Sequence, residues 1–139
     1  MHPAAFAFAA TALATIPVAA GAVTGEGENV PLIGRDGPEA DGCGGIGKVF
    51  GLYGPGTQAY LSVRERQDDR AREKDRLTSG TLVWLCDAQD EWQGIVYADD
   101  ELQDLGDCRV SSSVAAPEPY SGPCRFGWVH ARNLQLVAQ

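Results

Sequence analysis

Apolar and polar positions alternate along the second half of the chain, and this alternation predicts short strands. In Tyr60 to Arg64, Leu61 and Val63 share one face while Tyr60, Ser62 and Arg64 share the other, the period-two pattern of a half-buried strand. Gly80 opens a second strand in which Val83 and Leu85 point one way and Leu82, Trp84 and Cys86 the other. Asp87 to Glu91 reads as a hairpin connection and Trp92 to Tyr97 as the returning strand. Phe126 to Val129 resumes the pattern. Asn133 to Val137 supplies a last strand, with Leu134 and Leu136 in and Gln135 and Val137 out.

The segments between these strands read differently. Between Arg64 and Leu77 the only apolar residue is Ala71. A helix over Glu65 to Arg76 would bury almost nothing and gain little from packing, so a charged surface loop is expected there. Val23 to Gly42 is polar, Gly-rich and aperiodic, the composition of a flexible lead. In Cys43 to Tyr53 the glycines argue against a helix, and Val49, Phe50, Leu52 and Tyr53 suit a short strand or an apolar arm. Pro55-Gly56 then marks a turn. Residues 98–125, acidic at first and then rich in Ser, Ala and Pro, read as a long surface insertion without a core of its own.

Composition adds a compartment. The 139 residues suit one domain. The formal net charge is -8, and no Asp, Glu, Lys or Arg precedes Glu26. Such an acidic domain repels phosphate backbones and anionic membrane surfaces. Residues 1–22 are uncharged, apolar and end in Ala20-Gly21-Ala22, the small-residue pattern of a signal-peptidase site. Pro17 interrupts the stretch, which is short for a bilayer span of about 20 residues. Export to the periplasm or the medium is expected, leaving a soluble monomer of residues 23–139 with its domain over residues 43–139.

Cys43, Cys86, Cys108 and Cys124 all lie in the mature part. An even count in an exported chain points to disulfides; zinc usually takes close Cys-x-x-Cys pairs, which are absent here. Three pairings are open, and cysteine positions alone do not choose between them. Loop arguments favour Cys108–Cys124, which would close an insertion unable to hold itself by packing. They favour Cys43–Cys86 to tie the Gly-rich arm to the outward face of the Val83-Leu85 strand.

Taken in order, Leu61-Ser62-Val63-Arg64, Leu77-x-x-Gly80-Thr81-x-Val83, Trp92, and Gly127-Trp128-Val129 before Leu134 resemble a bacterial Src homology 3-like (SH3-like) domain over residues 59 to 137. Two features depart from the family pattern. Glu91 stands where members often carry Gly, and the insertion after Tyr97 replaces a short turn. The resemblance implies an all-β fold, a small barrel of about five antiparallel strands, to which the loop arguments add a long disulfide-closed insertion loop. It also implies a non-catalytic module that binds a cell-envelope peptide, peptidoglycan stem or protein.

Candidate chemistry is sparse. His130 is the only histidine of the mature part, and a lone His beside a strand is read as a structural surface residue. Gly42 to Gly47 lacks the Lys-Ser/Thr end of a phosphate loop. Asp99-Asp100-Glu101 is read as solvated rather than calcium-binding. No enzyme activity, cofactor, metal or nucleic acid is expected. The candidate ligand-binding residues are Arg64, Trp92, Tyr120 and Trp128, because Trp, Tyr and Arg are enriched at binding hot spots. The competing reading is that the aromatics pack the barrel. A second functional class is a disulfide-stabilised structural or inhibitory protein acting through its insertion loop. Mass spectrometry of the exported protein is expected to find a mature chain starting near Val23; an intact Met1 would overturn the export reading.

Overall fold

A computed structural model of the chain describes residues 3–4, 7, 9–14, 27–52, 59–99 and 105–139. Most of the leader, the Pro55-Gly56 turn and residues 100–104 therefore lie outside the described residues. The described part is all-β. Its strands are β1 (Leu32–Ile33), β2 (Gly45–Val49), β3 (Leu61–Arg64), β4 (Glu73–Leu77), β5 (Leu82–Gln89), β6 (Trp92–Tyr97), β7 (Glu118–Pro119), β8 (Arg125–His130) and β9 (Leu134–Ala138), with a 3-10 turn at Ala131–Asn133 before β9. Seven strands form one antiparallel sheet in the order β4-β3-β8-β6-β5-β2-β9, and β1 pairs with β7 in a second, two-stranded sheet. Among the described residues no helix is long and apolar enough to cross a membrane.

The central strand β6 explains the layering. From Gly94 to Tyr97 every residue is buried, the mark of a strand covered on both faces. Ile95 and Tyr97 join Val49, Leu61, Val63, Leu77, Val83 and Val129 in one core. Val96, pointing the other way, joins Ile33, Cys43, Cys86, Cys108, Val110 and Tyr120 in a second. Gly94 has no side chain for a reason of space: a Cβ there would lie 2.8 Å from the Cβ of Pro31 and 2.9 Å from that of Asp87.

The second core corrects the expectations for the lead and the insertion. Instead of a flexible lead, Pro31 to Gly34 packs on the sheet, with Pro31, Ile33 and Gly34 buried. Nor does the insertion lack packing. It runs beside the lead, with Gly42 N–H donating to Ser112 O (2.9 Å), Cys43 N–H to Val110 O (3.1 Å) and Tyr120 N–H to Pro31 O (2.9 Å). Neither segment carries an apolar period of its own. Each contributes a few apolar residues to a shared layer over Val96.

Three further expectations change. Glu73–Leu77 is a strand rather than part of a charged loop, and only residues 65–72 form the connection. As an edge strand it buries just Leu77, and its charged side chains bond sideways to neighbours. Ser62 Oγ donates to Glu73 Oε2 (2.8 Å), Tyr97 OH to Asp75 Oδ2 (3.0 Å) and Lys74 Nζ to Phe126 O (2.7 Å). The hairpin turn shrinks to Asp90-Glu91, with Asp90 in the left-handed region at φ 53°. On β9 only Leu134 packs against the first core; Leu136 is 52 % exposed because β9 is the outermost strand.

A register shift between Leu85 and Asp87 marks a bulge at Cys86. Bulges re-aim side chains, and this one turns both Cys86 and Asp87 toward the lead. Cys86 is bonded to Cys43, and Cys108 to Cys124, the pairing that the loop arguments favoured. With sequence separations of 43 and 16, the chain-entropy model gives about 4 and about 3 kcal/mol. Asp87, only 1 % exposed, accepts from Leu32 N–H (2.9 Å), Arg35 Nε (3.0 Å) and Gln89 Nε2 (3.3 Å). Removing the carboxylate would leave the Leu32 N–H without its partner. Asp87→Ala is expected to lower the unfolding free energy by about 2 kcal/mol, read as a fall in the urea midpoint. An unchanged midpoint would show that the lead is held elsewhere.

Candidate functional site

Beside the lead, β3, the loop 65–72, the β6 start and the β8 end enclose a cleft of about 180 Å3. Its lining includes Tyr60, Arg64, Asp69, Trp92, His130 and Arg132. Antiparallel register places Trp92 opposite His130, and the two rings stack with centroids 4.1 Å apart and planes 28° from parallel. Trp92 is 7 % exposed, so the stack forms a wall rather than a protruding surface.

Arg64 reaches the cleft because the β3 alternation puts Leu61 and Val63 in the core and leaves Ser62 and Arg64 outside it. Its Nη1 donates to Ala71 O (3.0 Å), which closes the 65–72 loop together with Glu65 N–H to Arg72 O (3.0 Å). That loop carries Asp69 to His130, where Oδ1 lies 2.7 Å from Nε2. The other ring nitrogen of His130, Nδ1, is buried without a hydrogen-bond partner. On the rim, the Arg76 guanidinium sits 4.2 Å from the centroid of the Tyr60 ring, a cation–π contact.

The candidate residues do not all meet. Arg64 and Trp92 line the cleft together. Trp128 is opposite Arg64 across the strand pair, but it is fully buried and its indole N–H donates to Asn29 O of the lead (2.7 Å). Tyr120 belongs to the second core, where its hydroxyl donates to Cys108 O (3.0 Å) and accepts from Cys124 N–H (2.9 Å). It braces the inside of the disulfide-closed loop. Arg66, which with Arg64 was expected to supply a charged edge, is absent from the lining, and Arg132, Tyr60, Asp69 and His130 were missed. The Gly-Trp-Val-His run holds the signal for His130, since alternation sets it on the Trp128 face. Nothing in the sequence places Asp69, which arrives by loop geometry.

The Asp69–His130 pair resembles half of a general-base arrangement, which also needs a nucleophile within reach. Ser62, whose hydroxyl lies in the lining, donates to Glu73, and all four cysteines are in disulfides. Among the described residues no group of His, Cys, Asp and Glu gathers as a metal site. Asp99 pairs with Arg125, and Asp100 and Glu101 lie outside the described residues. No family model matches the chain, and no curated protein or solved structure matches it.

The His130 hydrogen bond, aided by attraction to His130, Arg64 and Arg132, holds the Asp69 carboxyl below its ordinary value. A depressed folded value means that this link is intact above the unfolded value near ~4 and is lost as pH falls through the lower folded value. The His130 ring and the Trp92 indole are therefore expected to change their NMR shifts together on the acid side of that range. Asp69→Asn should abolish the joint transition; its persistence in the variant would assign it to another group.

Proposed function

We propose that the chain is an exported, non-catalytic binding module of the cell envelope, SH3-like in architecture, that engages a peptide, peptidoglycan stem or protein through the Tyr60–Arg64–Trp92–Arg132 cleft. The observation carrying this reading is the composition of that cleft. On a chain with net charge -8, it gathers the guanidinium groups of Arg64 and Arg132 around an aromatic wall, the mixture enriched at recognition sites. The family resemblance is supported by the membership of its quoted segments in one antiparallel sheet: Leu61–Arg64 in β3, Trp92 in β6, Gly127-Trp128-Val129 in β8 and Leu134 in β9. Closure of that sheet into a barrel is part of the proposal, since the described strand order runs from β4 to β9 without joining them.

Two disulfides suit an oxidising compartment, and the uncharged leader supports export. The alternative, a structural or inhibitory protein acting through its insertion, is weaker because the apolar residues of the insertion turn inward. Val110 and Tyr120 are buried against the lead rather than presented to a partner. The immobilised chain is expected to retain envelope material from a cell extract. Tyr60→Ala should cut that retention several-fold while leaving thermal unfolding unchanged. Equal retention by the two proteins would remove the cleft as the site.

A further inference from the structure

The cleft is too small for a whole ligand. Small-molecule sites commonly enclose about 300–1,000 Å3, whereas this one holds about 180 Å3, room for one terminal group of a longer chain. Its polar groups are also unequal in kind. The acidic side chains nearby are occupied: Asp69 by His130, and Glu73 by Ser62 and Arg76. Donors remain. Arg132 is exposed and makes no ion pair or hydrogen bond among the described residues, and the Tyr60 hydroxyl makes no hydrogen bond among them either. Arg64 places a second guanidinium on the same cleft. A surplus of donors beside an aromatic wall calls for a ligand end that accepts hydrogen bonds, carries negative charge and has an apolar body behind it.

From this we infer that the cleft captures the C-terminal carboxylate of an extended peptide, with Arg132 as the principal counter-charge, Arg64 and the Tyr60 hydroxyl as further donors, and the last side chain against Trp92. Carboxylate capture of this kind is an established mode of peptide recognition. The inference rests on the reading of the cleft as the binding site and adds the chemistry of what enters it. A peptide offered by an internal segment lacks the terminal charge and would not be held.

The test uses the full chain and two probes, N-acetylated trialanine as the free acid and as its carboxamide, followed by NMR at the Trp92 indole and the Arg132 amide. The free acid is expected to shift both signals and to bind about tenfold more tightly than the carboxamide, the loss expected for one charged hydrogen-bonded contact. Arg132→Gln, at an exposed position, should remove most of the preference for the acid over the carboxamide. Equal binding of both probes in the cleft would overturn the carboxylate inference and leave the cleft as a binding site. Absence of shifts with either probe would also overturn it; the broader reading then depends on the separate envelope-retention comparison with Tyr60→Ala.

Discussion

The buried carboxylate of Asp87 fixes Leu32 and Arg35 of the lead against the main sheet. Its oxygens bind a backbone N–H of β1, the Arg35 guanidinium and the Gln89 amide, so one side chain joins the lead to the centre of the sheet. A charge this deeply buried is tolerated only when it is paired and hydrogen-bonded; the lead supplies its counter-ion, Arg35, and a backbone N–H, and Gln89 of β5 the remaining donor. The adjacent Cys86 disulfide makes the same connection covalently. Lead and sheet are therefore mutually dependent: the lead has no core without the sheet, and the sheet would hold an unpaired buried anion without the lead.

That dependence extends to the cleft. Asn29 of the lead donates from Nδ2 to Gln67 Oε1 (2.8 Å), and Gln67 donates from Nε2 to Gln89 Oε1 (2.7 Å). Gln89 in turn donates to Asp87. An amide relay thus runs from the buried carboxylate to the loop bearing Asp69. The backbone N–H of Asn29 also donates to Glu65 O (2.9 Å), at the start of the same loop. The loop opposite the Trp92–His130 wall is consequently held by contacts that also seat the lead. The cleft is thus supported from behind by a hydrogen-bonded layer.

Alternation of Leu61 and Val63, and of Val83 and Leu85, with residues outside the first core made β3 and β5 legible; β6 was legible as a short apolar run, buried on both faces. Edge strands were harder. In β4 the burial of Leu77 alone gives no period, and in β9 Leu136 looks like a core residue but faces outward. The disulfide pairing was reachable through loop arguments, while the bulge that aims Cys86 and Asp87 left no mark in composition. Arg64 and Trp92 were singled out by residue type, and the fold brings both to one cleft. Tyr120 could not be separated from them, because an aromatic that braces a loop and one that faces a ligand look alike in sequence. Asp69 was hidden in a charged run, where only the folded path of residues 65–72 distinguishes it from its neighbours.

The hydrogen bond between the Trp128 indole and Asn29 O spans 99 positions of chain. The lead is made first, yet its seat is completed only when β8, near the other end, is in place. Contacts of such separation fold slowly because the loop must close before they reward it. For a chain delivered amino terminus first, the lead must therefore wait in solvent until nearly the whole domain has followed it. Its polar, glycine-rich composition is that of a segment able to wait without collapsing onto the wrong surface, so the feature that hid its packing also suits its place in the order of assembly.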